Sequence, residues 1–167
     1  MADRQARGLR VLGIDPGAGG AIALIDPSLD VLLIKDMPIA TVRERREISE
    51  VWLADIIRRF DPEEAWLERV HAYPRQGVTS AFTFGMAYGL VRGVLATLKV
   101  PTHLVTPNEW KRRLRLPADK HAARVMAARL FPNDAKLFSR SRDDGRAEAA
   151  LLAHFGLYAN GSAKEDL

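Results

Sequence analysis

The chain contains no cysteine, which excludes disulfides, thiolate metal sites and thiol nucleophiles. Met1 to Arg7 is not expected to be a secretory signal, because its charges have no apolar run behind them. No stretch reads as a clean membrane span. The longest apolar one, Val78 to Val100, carries Arg92, Tyr88, several threonines and three glycines, and is expected to be a buried helix. Internal repeats and low-complexity segments are missing too. What is there is 167 residues with ordinary apolar and charged fractions, enough for one domain with a real core. The expected division is a flexible N-terminus over 1–8, a single domain over 9–157 and a frayed tail over 158–167.

The formal charge is +4, unevenly spread. Between Lys99 and Arg146 the basic residues, among them Lys111, Arg112, Arg113, Arg115, Lys120, Arg124, Arg140 and Arg142, face only Glu109, Asp119, Asp134, Asp143 and Asp144. The rest of the chain is slightly acidic. A basic half of this kind suits a polyanion such as a nucleic acid backbone; the plainer alternative is solvated surface charge.

The stretch on which the chain is organised is Leu9 to Gly20. Val11, Leu12 and Ile14 favour a buried strand, which delivers Asp15 into the glycine turn Pro16-Gly17-Ala18-Gly19-Gly20. Ala21 to Ile25 resumes as the second arm of a hairpin, and Val31 to Met37 reads as a third strand. Thr41 to Phe60 is expected to be helical, with Leu53, Ile56, Ile57 and Phe60 at helical spacing. A strand over Ala65 to Val70, a loop, and a long helix over Thr79 to Leu98 follow. In that helix Gly85, Gly89 and Gly93 share one face, a bare stripe that suits another backbone packing close, within the chain or from a second chain.

Thr102 to Val105 is a brief strand. Thr106, Pro107 and Glu109 together signal a helix start, and Asp119 can cap a further helix from Lys120 to Leu130. Asn133 to Arg142 reads as a polar connection, and a last helix runs from about Asp144 to Leu157. An antiparallel opening followed by β-α alternation indicates an α/β domain with a mixed sheet.

Two carboxylates sit where strands should be buried, Asp15 and Glu68. Two more, Asp144 and Glu148, share a face of the last helix, where Gly145, Ala147, Ala149 and Ala150 keep the helix slim enough to approach the sheet. Each has a plain reading: Asp15 capping its own turn, Glu68 on an exposed edge strand, Asp143 or Asp144 capping the helix. Together they can converge on hard divalent cations, since oxygen-only ligation suits Mg²⁺ or Mn²⁺. Two such ions can activate a water and stabilise a leaving oxygen of a phosphodiester.

In order along the chain, GIDPG, ERV on a later strand, SAF..G.A.G..RG on a long helix, P.EWK, DK at a helix start and DGRAEA on the last helix resemble the RuvC family of Holliday junction resolvases, its phage-type members above all. The resemblance spans Leu9 to about Phe155. It implies an RNase H-like fold, with the first three strands antiparallel and the later ones parallel, a homodimer, and Mg²⁺- or Mn²⁺-dependent cleavage of four-way or other branched DNA, with two ions per site. It also implies a cytoplasmic location, in a bacterial or phage-infected host cell, and no membrane partner.

Residue by residue, Asp15 matches the family's first-strand aspartate and Glu68 its later glutamate. The last helix supplies two acids, commonly spaced DxxD; here Glu148 takes the second place and Asp144, one residue further off, or Asp143 the first. Lys120 and Lys111 match basic positions that contact phosphate or offset developing charge. The resemblance also points to Arg75, Arg112 and Arg142 as DNA contacts. Where the family stacks an aromatic on junction bases this chain has His71, with Tyr73 two residues on. The glycine-striped helix resembles the dimer-forming helix, and an isologous dimer suits a two-fold symmetric junction. Water is the expected nucleophile.

Three other readings compete with this one. An actin-like ATPase or sugar kinase shares the GxDxG flavour, but needs two lobes and a second phosphate loop. A non-catalytic DNA-structure-binding protein would have no need of every carboxylate. An RNase H-like nuclease acting on flaps or RNA-containing substrates uses the same chemistry.

Overall fold

Val11 to Ile14 is buried at every position, as befits a β-rich run with neighbours on both edges and both faces. The computed structural model describes residues 9–27, 31–69, 71, 75–117 and 119–159, leaving out the side chains of Val31 and Lys120. In chain order the elements are β1 (Val11–Ile14), β2 (Ala21–Asp26), β3 (Val31–Asp36), β4 (Ile39–Val42), β5 (Arg45–Ile48), α1 (Glu50–Phe60), β6 (Glu64–Glu68), α2 (Val78–Thr97), β7 (Thr102–Val105), α3 (Pro107–Arg113) and α4 (Lys120–Leu130). Two 3-10 segments, Pro132–Phe138 and Ser141–Asp143, then lead into α5 (Asp144–Ala159).

Five strands form one sheet in the order β3-β2-β1-β6-β7. The pairs β1–β2 and β2–β3 are antiparallel, whereas β1–β6 and β6–β7 are parallel. This is the mixed sheet the sequence led us to expect. Strand alternation splits the core in two. Leu12, Ile14, Ile22, Leu24, Ala65 and Leu67 pack with Leu53, Ile57, Val91 and Leu95 of α1 and α2 on one face. Val11, Ala21, Ala23, Ile25 and Trp66 pack with α3, α4 and α5 on the other.

The helix expected over Thr41 to Phe60 is corrected: it starts only at Glu50, where the Ser49 hydroxyl accepts a hydrogen bond from the Trp52 N–H at 3.3 Å. Residues 39–48 form the β4–β5 hairpin instead, with Arg43 and Glu44 both at positive φ, 47° and 67°, in its turn. Arginine and glutamate are good helix formers, which masked the alternation that turns Ile39 and Ile48 inward.

The long apolar helix is not buried, contrary to expectation. In α2 only Val91 and Leu95 are fully covered, while Val78, Phe82 and Met86 stay 86%, 67% and 45% exposed. By length and composition alone α2 is apolar enough to cross a membrane. Its apolar residues lie all round, so a single sheet face can cover only one side of it. The last helix continues to Ala159, past the expected end at Leu157; residues 1–8 and 160–167 lie outside the described part.

Candidate active site

Asp15 is the first residue beyond β1, half-buried in the glycine turn. Its N–H donates to the Ala21 carbonyl at 3.0 Å and its Oδ1 accepts from the Gly17 N–H at 3.3 Å, so the turn fixes backbone and side chain together. Gly20 must be glycine here, since a Cβ would collide with the Asp15 carbonyl oxygen.

Glu68 ends β6. The parallel register pairs Ile14 with Leu67, so the next step sets Glu68 beside Asp15 at the same end of the sheet. With β7 on its other side, β6 is no edge strand, which removes the plain reading of Glu68. Alternation puts both carboxylates on the face covered by α5.

Glu148 arrives from above, one turn into α5. That helix lies directly on β1, because the contact is made by residues without bulk. A Cβ on Gly13 would strike the Ala149 carbonyl, and one on Gly145 would stand 2.6 Å from the Gly19 carbonyl oxygen. Ala147, Ala149, Ala150 and Ala153 are fully buried in the same seam.

The charges of these side chains feel one another. Burial, with the fields of Glu148 and Asp15, pushes Glu68 up to about 7. Against this, Lys111 and a 3.3 Å hydrogen bond donated by Trp110 Nε1 to Glu68 Oε2 favour the charged form. Lys111 Nζ stands 2.8 Å from Glu148 Oε1. Its burial works against the ammonium, but Glu148, Glu68 and Asp15 outweigh it and raise the Lys111 pKa. One ammonium therefore sits among three carboxylates. The platform is α3, capped by the Thr106 hydroxyl accepting from the Glu109 N–H at 3.3 Å, with Trp110 fully buried beneath.

Asp144 and Asp143 part company. Asp143 is 1% exposed, accepts from the Arg140 backbone N–H at 2.8 Å and is gripped by the Arg140 guanidinium, which holds its carboxyl below the usual range. It closes a capping box ahead of α5 and is committed there. Asp144 faces Arg124, whose Nε is 2.9 Å from Oδ1, an ion pair without hydrogen-bond alignment. Like charges four apart on α5 thus have separate cations, Arg124 for Asp144 and Lys111 for Glu148.

Among the described residues, no three His, Asp or Glu side chains are close enough as placed to form a ready-made metal site. The donor chemistry nevertheless fits a hard divalent cation: Asp15, Glu68 and Glu148 offer only oxygen, repel one another, and have one lysine to balance them. Asp144 stands on the same helix face as Glu148, half-buried, and can join them.

The other expected residues are scattered. His71 is exposed three positions beyond Glu68, and Arg75 is exposed with φ 70°. Arg112 is exposed and lines a 570 Å³ cavity with Trp66 and Tyr158, and Arg142 is exposed beside Arg140. Tyr73 and the Lys120 side chain lie outside the described residues. A Cβ on Gly85, Gly89 or Gly93 would meet nothing within 4 Å, so none of the described residues fills the glycine stripe. Sequence reasoning missed the roles of Trp110 and Arg124. Trp110 lies 42 positions from Glu68, and no local pattern links the two.

No family model matches the chain. It is 27% identical over 161 residues to the crossover junction endodeoxyribonuclease RuvC of Stenotrophomonas maltophilia, covering 90% of this chain and 91% of that protein. The RuvC of Thermotoga petrophila is 27% identical over 155 residues, with 87% and 90% covered. Among solved structures, Thermus thermophilus RuvC in complex with a Holliday junction substrate superposes with a TM-score of 0.63 at 22% identity, over 93% of this chain and 98% of that one. The likeness in sequence to these RuvC proteins runs nearly end to end in each relative, and the fold is shared with the solved structure.

Proposed function

We propose that the protein is a structure-selective endodeoxyribonuclease that resolves Holliday junctions or related branched DNA by hydrolysing paired phosphodiesters. What carries the reading is the convergence of Asp15, Glu68 and Glu148 from two parallel strands and a helix onto one face, around Lys111. The curated relatives are named for crossover junction cleavage, and the fold neighbour is bound to a Holliday junction.

Asp15, Glu68 and Glu148, with Asp144 as fourth, would hold Mg²⁺ or Mn²⁺, two ions in the reading we favour. When bound, such ions supply a hydroxide-like water and stabilise the leaving oxygen. The chain's own part is distinct. The Pro16 to Gly20 turn keeps Asp15 rigid, Trp110 orients the Glu68 carboxylate, and Lys111 limits the repulsion within the cluster until a cation or a phosphate arrives. Lys120, Arg112, Arg142, Arg75, His71 and Tyr73 are the side chains we assign to the DNA. No Ser or Tyr motif suited to a covalent intermediate is needed, since water is the nucleophile.

A homodimer belongs to the same reading. A four-way junction has two-fold symmetry, so two copies place two active sites on symmetric phosphates, and α2 offers the glycine stripe and exposed Val78, Phe82 and Met86 as the shared face. Action in the cytoplasm of a bacterial or phage-infected cell fits this work.

The test is a substrate panel: labelled four-way junction, flap, plain duplex and RNA–DNA hybrid, each with EDTA, Mg²⁺ or Mn²⁺. The expected result is paired symmetric nicks in the junction with either ion and none in EDTA. Preferred cutting of flaps or hybrids would transfer the protein to another RNase H-like activity. Junction binding without cutting under any metal would make it a non-catalytic binder.

A further inference from the structure

A cavity of 370 Å³ opens beside the candidate active site, on the other side of the glycine turn. Its floor is Gly19 and Gly20, the same turn that fixes Asp15, and its walls bring four arginines together. Arg46 comes from the β4–β5 hairpin, Arg140 and Arg142 from the segment before α5, and Arg146 from the first turn of α5.

Two of the four are neutralised. Arg140 is bound to Asp143, and Arg146 donates to both oxygens of Asp36 at 2.5 and 2.6 Å. Arg46 and Arg142 are exposed and have no carboxylate partner among the described residues. The cavity therefore carries a surplus of two positive charges, with the paired guanidinia still presenting donors toward it. Planar guanidinium forks are the side chains best matched to phosphate oxygens.

The hairpin makes this placement possible. It leaves the sheet after β3 and returns to α1, and Ile39 also lines the cavity from its base.

We infer that Arg46 and Arg142, backed by Arg140 and Arg146, form a clamp for the DNA backbone, holding phosphates of the substrate strand next to the one that lies at Asp15. The inference deepens the proposed function and rests on it for the identity of the strand. The cavity shares Gly19 and Gly20 with the turn that fixes Asp15, which sets the clamp next to the strand end where the scissile phosphate would lie.

The experiment is equilibrium binding of a four-way junction in EDTA, where no cutting occurs, across a series of salt concentrations. Each phosphate contact contributes about 0.9 to the slope of log K against log salt, so R46A/R142A should lower its magnitude by about 2. R46K/R142K keeps the charges and should restore most of the slope. R58A/R59A, on α1 and remote from the cavity, removes equal charge and should leave the slope unchanged. An unchanged slope in R46A/R142A, or an equal fall in R58A/R59A, would overturn the clamp. Binding is read without catalysis, so a protein that never cuts yet loses slope in R46A/R142A would end the nuclease reading and keep the clamp.

Discussion

Glu68 is held by neighbours that pull its proton affinity in opposite directions, and the balance has a measurable sign. Its folded-state pKa of about 7 stands above the ordinary 4.5. The folded, metal-free protein therefore keeps a proton that the unfolded chain has lost. Stability from this group is complete below about pH 4.5 and drains away as the pH rises through 7, by roughly 3 kcal/mol in all. Thermal unfolding in EDTA from pH 5 to 8 should show that decline in the wild type and a flatter profile in Glu68→Gln, which should be the more stable of the two at pH 8. Adding Mg²⁺ at pH 8 should raise the wild-type Tm and leave that of Glu68→Gln almost unmoved, because the cation relieves a repulsion that the variant lacks. Parallel pH profiles for the two proteins would mean that Glu68 does not share charge with Asp15 and Glu148.

At the scale of elements, the approach of α5 to β1 decides whether Glu148 reaches the strand ends. Gly13 leaves no room for a methyl group against the Ala149 carbonyl, so Gly13→Ala should lift the helix, cost about 2–3 kcal/mol in urea unfolding and depress cleavage. Wild-type stability in that variant would show that the seam is looser than described. The stripe on α2 behaves in the opposite way. A Cβ at Gly89 meets nothing within 4 Å among the described residues and leucine is the better helix former, so Gly89→Leu should fold well. If α2 is the dimer face, sedimentation should find Gly89→Leu monomeric; an unchanged oligomer would refute that use of the stripe.

The slimness of α5 was legible in the run Gly145 to Ala150, and the caps at Thr106 and Asp119 appear where their side chains promised them. The β4–β5 hairpin was not legible. Its turn at Arg43 and Glu44 has no glycine or asparagine to announce positive φ, and its charged residues score well for helix. The exposure of α2 was hidden for another reason: a helix apolar on all sides looks the same whether it is enclosed by its own chain or awaits a second one.

On the scale of the molecule, the sheet separates two tasks. One face packs α1 and α2, with the unfilled stripe. The other packs α3, α4 and α5 and carries the carboxylates and Lys111. Order along the chain, through the family's motifs, offered Asp15, Glu68, Asp144 and Glu148 as a set, with Asp143 as the alternative to Asp144. Which of Asp143 and Asp144 is available was decided only in three dimensions, by Arg140 closing on Asp143. The same holds for Trp110 and Arg124, whose partners come from other elements.

The central claim is that this carboxylate cluster performs the hydrolysis, and single-turnover cleavage of a labelled four-way junction with Mg²⁺, by wild type and Glu68→Gln, tests it most directly. With junction binding measured alongside, the account predicts that Glu68→Gln binds within about threefold of wild type while cutting falls roughly a thousandfold, equivalent to about 4 kcal/mol of lost transition-state stabilisation. Cutting by Glu68→Gln at the wild-type rate, or wild-type cutting that persists in EDTA, would contradict it.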